Sequence, residues 1–138
     1  MAETPEQIED VVQTKNTNAA GIYELKFYVN GHLTSVLVDE YLPVMKGTKK
    51  LAFAQTKSES LWVSLLEKGW AKLHGSYSST SGGVPSFATS HLLGVPLKTL
   101  RHADCKNMNN FWNVLLRAEQ RKFKMFSTSL SQGEEENQ

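Results

Sequence analysis

Apolar and polar residues alternate from Ile22 to Val29, so that Tyr23, Leu25, Phe27 and Val29 share one side of an extended segment. Asn30-Gly31 follows, a pair that accepts positive φ, and the apolar pattern resumes over 33–38. The stretch therefore predicts a β-hairpin closed by a two-residue turn. Upstream, Ile8, Val11 and Val12 fall on one face of a short helix over 5–12, with Thr4 as N-cap and Pro5 in the first helical position. The polar run 13–18 ends that helix. Downstream, Pro43 takes the chain out of the hairpin because it lacks the N–H that a central strand needs, and a polar turn over 46–50 leads to a short apolar run, 51–54.

The period then changes. Leu61, Trp62, Leu65, Leu66, Gly69, Trp70 and Leu73 recur at helical spacing, behind a candidate cap at Ser58 and ahead of Gly75, which suits the position just past a helix end. Residues 75–85 are rich in Ser and Gly and predict a surface loop, ordered only if its amides find partners. A short helix is expected over 87–93, closed by Gly94 and Pro96, and an irregular stretch to 107. A second long amphipathic helix spans 108–122, with Phe111, Trp112, Leu115, Leu116 and Phe123 on its apolar face. Residues 124–130 alternate as a strand would, and 131–138 read as a polar, flexible tail. The elements describe an α+β fold with a β-hairpin and two long amphipathic helices, without internal repeats.

Composition narrows the picture. A chain of 138 residues, 40% of them hydrophobic, forms one domain with a real core. Fifteen basic against fourteen acidic residues leave a charge of +1, which gives no field to attract nucleic acid. The single cysteine, Cys105, excludes an internal disulfide, and the acidic start has no apolar segment behind it, so an intracellular, cytoplasmic setting is expected. No apolar run approaches the ~18 residues of a membrane span.

Candidate chemistry is sparse. His32, His74, His91 and His102 show no catalytic or metal-ligand spacing, and surface or packing roles are expected for them. His102, Asp104 and Cys105 cluster, but one Cys and one His fall short of a four-ligand zinc site, and an inert thiol is the reading beside a catalytic or metal-binding one. Trp62, Trp70 and Trp112 are read as core residues, and Lys68, Lys72, Arg117, Arg121, Lys122 and Lys124 as solvated helix faces. No cofactor and no metal site is predicted, and nucleotide and EF-hand signatures are absent.

One ordered string of motifs is more specific. Gly21-Ile22-Tyr23, Asn30-Gly31 and Val36-Leu37-Val38-Asp39-Glu40-Tyr41-Leu42-Pro43 precede Leu61-Trp62, Leu65-Leu66-Glu67-Lys68, Ala71-Lys72, Gly75-Ser76-Tyr77 and Ser81-Gly82-Gly83. In order and spacing the string resembles the calpain family of cysteine proteases. The match is strong from Gly21 to Gly83, includes the turn Leu92-Leu93-Gly94-Val95-Pro96, and is weaker from Phe111 to Leu130. The resemblance implies a partial papain-like protease core, with 5–100 as the first subdomain and 107–130 as the start of the second.

The family's nucleophile lies in a Gly-Asp-Cys-Trp motif upstream of the segment resembling 5–12. Its general base lies in a Gly-His-Ala-Tyr motif beyond the strand resembling 124–130, followed by the orienting Asn. None of these motifs is in the 138 residues, so no catalytic residue is assigned. Asp104-Cys105 echoes the nucleophile motif but lies after the long helix, with Lys106 in place of its Trp. A family calcium ligand falls where this chain has Ser60, with Glu59 one position off, which argues against a calcium site there. Gly83 matches the family glycine whose backbone pairs with substrate, and it is the one candidate substrate-binding residue; a structural turn is its alternative use.

The reading favoured is a non-catalytic calpain-like module, a structural or interaction subunit of a larger assembly. It needs a protein partner to cover the exposed half-core, and that partner could itself supply the rest of the protease core. The initial Met1 and polar end favour a natural short protein. The alternatives are a fragment, or one chain, of a split calcium-dependent cysteine endopeptidase, and a peptide-binding module using the Gly82-Gly83 edge.

Overall fold

The computed structural model describes residues 5–56 and 60–128. The expected caps Thr4 and Ser58, together with Glu59 and 129–138, lie outside the described residues. At the centre are two antiparallel strands, β1 (Ile22–Val29) and β2 (His32–Asp39), paired from Ile22 opposite Asp39 to Val29 opposite His32. Asn30 and Gly31 take φ of 51° and 80°, the left-handed pair that a two-residue hairpin turn requires. That turn fixes the register, and the register places Tyr23, Leu25, Phe27, Val36 and Val38 on one face as the core.

Helix α1 (Pro5–Val11) buries Val11 and runs into the open edge of β1. There the Gln13 amide donates to the Glu24 carbonyl at 2.9 Å, and the Glu24 amide donates to Thr14 Oγ1 at 3.0 Å. These bonds occupy backbone groups that an edge strand otherwise exposes.

Helix α2 (Trp62–Leu73) lies across the inner face of the hairpin, burying Ser64, Leu65, Gly69 and Ala71, with Leu66, Trp70 and Leu73 partly buried. Its N-terminal half is tied to the apolar run 51–54. Ser64 Oγ donates to the Ala54 carbonyl at 2.9 Å, and the Ala54 amide donates to Glu67 Oε2 at 2.8 Å.

Helix α3 (Pro85–Leu93) starts two residues earlier than expected, because Pro85, with its preset φ, takes the first helical position; Gly94, at φ 64°, closes it. Helix α4 (Met108–Gln120) is capped by Asn107, whose Oδ1 accepts from the amides of Asn109 and Asn110 at 2.9 and 3.3 Å. Two short 3₁₀ turns, Ser78–Thr80 and His102–Asp104, lie in the connections. Among the described residues no helix is long and apolar enough to cross a membrane.

Three expectations are corrected. Residues 124–128 form no strand, since alternation alone cannot make one without a sheet edge to satisfy its amides. Trp112 is not a core residue: it is 60% exposed, and no residue of α4 is fully buried. Lys68 and Lys72 are not simply solvated, because both reach back to β2.

Candidate functional site

Lys68 extends from the buried face of α2 toward the end of β2. Its Nζ donates to Asp39 Oδ1 at 2.6 Å, to the Asp39 carbonyl at 3.1 Å and to the Tyr41 carbonyl at 2.6 Å, and its side chain is only 18% exposed. One turn later, Lys72 Nζ donates to the Leu37 carbonyl at 2.7 Å. The two ammonium groups thus occupy acceptors on the outer edge of β2, where hairpin pairing leaves alternate carbonyls pointing away from β1. The Lys68 hydrogen bond, followed by the bond from the Tyr41 amide, holds the Asp39 carboxyl below the usual carboxylate range.

A carboxyl lowered in the folded state adds stability that is present above its unfolded value and lost as pH falls through the folded one. Lys68→Met is therefore expected to lower the urea midpoint at neutral pH and to flatten its decline as pH falls through and below the ordinary carboxylate range. Urea melts of both chains at several pH values check this, and parallel acid limbs would disprove the Lys68–Asp39 coupling.

The loop between α2 and α3, with Gly83 at its end, is ordered by its own hydroxyls. Ser76 Oγ accepts from the Ser79 amide at 3.1 Å, and Thr80 Oγ1 donates to the Tyr77 carbonyl at 2.8 Å. The Tyr77 ring stacks on Phe53, with centroids 4.2 Å apart and planes within 8°. Burial first, then the charges of Glu67 and Asp39, raises the Tyr77 phenol above its ordinary value. Gly83 has a φ of 145°, and a Cβ built on it would meet nothing within 4 Å. Space does not demand glycine there, but the backbone conformation does. An uncluttered backbone of this kind suits main-chain pairing with an extended peptide, and equally a plain turn.

Cys105 Sγ donates to the Arg101 carbonyl at 3.2 Å, and the His102 ring meets Phe111 edge-on at 5.8 Å. Each group is thus engaged in packing its own connection. Among the described residues no three His, Cys, Asp or Glu side chains gather where a metal ion could sit.

The sequence reading missed a cluster made where two helices meet. His74, at the end of α2, and His91, on α3, bring their rings to 5.9 Å, and Trp70 packs against both, at 4.4 and 5.3 Å. No local spacing announces this pair, because the loop between the helices decides where α3 lies.

Hairpin, α2 stripe and Gly-rich loop stand in the order that the calpain-like motifs require, and a profile of calpain family cysteine proteases matches residues 1–138. The chain belongs to the calpain family. Calpain-type cysteine protease DEK1 of Arabidopsis thaliana is 32% identical over 122 residues, which are 85% of this chain and 6% of that protein. A calpain of Schistosoma mansoni is 36% identical over 95 residues, 65% of this chain and 12% of that protein. Human calpain-14 is 32% identical over 99 residues, 72% and 14% respectively. The chain thus spans a small part of each relative's length.

Proposed function

We propose that this chain acts as a non-catalytic calpain-type module, a structural or interaction subunit that a protein partner completes. The observation that carries this reading is the bare apolar side of α4 and the residues after it. Met108, Trp112, Leu116, Phe123 and Phe126 are all exposed, Trp112 and Phe126 by about 60%. Met108, Trp112 and Leu116 recur every four residues on one face of α4, and exposed apolar surface of this kind marks a protein contact, with Trp the residue type that most often anchors one. The chemistry agrees with a non-catalytic role. The single thiol of the 138 residues, Cys105, is hydrogen-bonded to a backbone carbonyl, and the thiolate–imidazole pair of a cysteine protease needs a base oriented toward the sulfur. Neither nucleic acid nor a membrane span enters this reading, and the setting it supposes is intracellular and cytoplasmic.

The relatives' names, calpain-type cysteine protease and calpain, favour a second reading, in which the chain is a fragment or one chain of a split calpain-type cysteine endopeptidase, for which the family resemblance implies calcium dependence. One experiment separates the two. The chain is purified from its native source with whatever binds it in stoichiometric amount, and casein hydrolysis is measured with and without calcium and a thiol inhibitor. The proposed reading expects no inhibitor-sensitive hydrolysis, and a Trp112→Asp chain that folds normally yet binds the partner at least ~10-fold more weakly. A partner bearing Gly-Asp-Cys-Trp and Gly-His-Ala-Tyr, with calcium-dependent activity, would establish the split protease instead.

A further inference from the structure

We propose that the loop after β2 is a docking surface for an anionic lipid bilayer, through Lys46, Lys49 and Lys50 and the exposed side chains of Tyr41, Val44 and Met45 beside them. Charge is segregated along this chain. Residues 41–58 carry four lysines and no acid, although the 138 residues hold fifteen basic and fourteen acidic side chains. All fourteen acids and eleven of the basic residues therefore lie elsewhere, so near-neutrality overall conceals one basic segment. Among the described residues the ion pairs are Lys15–Glu9 and Lys68–Asp39, and no acid neutralises Lys46, Lys49 or Lys50.

The backbone holds these side chains in a fixed array. The Met45 amide donates to the Lys50 carbonyl and the Ala52 amide to the Pro43 carbonyl, both at 2.9 Å, with Val44 bridged to Leu51. Inside that clamp Thr48 closes the tip. Its amide and its Oγ1 donate to the Met45 carbonyl at 3.0 Å each, and Oγ1 accepts from the Lys50 amide at 3.1 Å. Gly47, at φ 76°, makes the reversal, and every residue from Val44 to Lys50 is exposed. The Tyr41 backbone is fixed as well, since its amide donates to Asp39 Oδ1 at 2.8 Å and its carbonyl accepts from Lys68 at 2.6 Å.

Exposed apolar groups beside unpaired cations are what a headgroup layer takes up. Tyr41 is 82% exposed, Val44 53% and Met45 45%. A tyrosine, with an apolar ring and a polar tip, settles at the level of lipid headgroups, and each of these side chains gains by leaving water. The kind of cation separates a lipid surface from an acidic protein. Lysine is depleted from protein interfaces, where the guanidinium fork of arginine meets carboxylates instead, and residues 41–58 contain no arginine. Lysine point charges suit a diffuse anionic layer. The loop also lines neither the hollow beside Cys105 nor the groove between α1 and α3, the concave places that would hold a peptide. It shares no residue with the exposed side of α4, so the proposal stands apart from the non-catalytic reading.

Co-sedimentation of the whole chain with phosphatidylcholine vesicles, and with vesicles that also carry about 30% phosphatidylserine, tests this. The native chain should partition at least ~10-fold more strongly onto the anionic vesicles at about 0.1 M salt and lose that preference near about 0.5 M. Each lysine close to an anionic leaflet contributes roughly fivefold, so Lys46→Gln, Lys49→Gln and Lys50→Gln together should remove at least ~10-fold of the partition. Tyr41→Ser should weaken binding about threefold or more and leave its salt dependence unchanged. Arg121→Gln with Lys122→Gln, beside the exposed Phe123, is the control and should stay within about twofold of the native chain. Urea midpoints close to the native value show that a loss of binding is not a loss of fold. Equal partition onto both vesicles, a triple variant that still binds, or a larger loss in the Arg121 and Lys122 variant would each overturn the proposal. Binding to poly-glutamate with the same three-lysine dependence, and none to vesicles, would assign the loop to an acidic protein instead and overturn it too.

Discussion

Phe27→Ala is expected to cost about 3–5 kcal/mol, a large share of the roughly 5–15 kcal/mol that holds a domain of this kind together. Phe27 is fully buried, with 0% of its surface exposed, at the middle of β1. Its ring touches Trp70 of α2 with centroids 6.0 Å apart, so it joins the hairpin to the helix as well as filling the core. Cutting it to a methyl removes apolar area from the interior and leaves a cavity that a two-stranded sheet under one helix cannot close by small shifts. Phe87, 62% exposed on α3, supplies the control: Phe87→Ala should move stability by no more than about 0.5 kcal/mol. Urea unfolding followed by far-ultraviolet circular dichroism checks both. A Phe27→Ala chain within 1 kcal/mol of the native one would mean that the inner face of the hairpin is not the core.

The parts of the fold that were legible are those in which local pattern and tertiary contact ask for the same residues. The alternation of Tyr23, Leu25 and Phe27, closed by Asn30-Gly31, allows one register, because a slip by one residue would turn every core side chain outward. The α2 stripe was legible for the same reason, Gly69 included. Periodicity states that a helix face is apolar; it does not state that anything covers it. Hence α4 was placed correctly as an element while Trp112 was misjudged as core. The alternation in 124–128 failed for a related reason, since a strand exists only beside another strand.

The candidate site was legible only as far as single residues carry it. Gly83 could be picked out by resemblance, and its φ of 145° explains why glycine stands there. The reach of Lys68 to three acceptors around Asp39 and Tyr41 could not be read, because nothing in a helix-face lysine reveals that a strand end lies within its span. His74 and His91 were each judged alone as surface or packing residues. Their juxtaposition, with Trp70 between the helices, arises from the turn that brings α3 back toward α2.

The close seating of α2 on the hairpin makes Gly69 the position where a small change should act most out of proportion to its size. A Cβ built there would overlap Leu25 Cδ1 and come within 3.3 Å of Cε2 and Cζ of Phe27. In an exposed helix interior, Gly→Ala would stabilise by about 1 kcal/mol through helix propensity. Here overpacking of about 1–3 kcal/mol opposes it, and Leu25, fully buried on the face of β1 that meets α2, has little room to swing its terminal methyl aside. Gly69→Ala is therefore expected to destabilise by up to about 2 kcal/mol, and Gly69→Val by about 3 kcal/mol. The cause can be separated from general damage with a double substitution. Leu25→Ala removes the methyl that Gly69 crowds, so adding Gly69→Ala to it should cost nothing or restore up to about 1 kcal/mol, a coupling that independent sites would not show. If Gly69→Ala stabilises the otherwise native chain in urea melts, the helix rides higher on the hairpin than the contact with Leu25 and Phe27 requires.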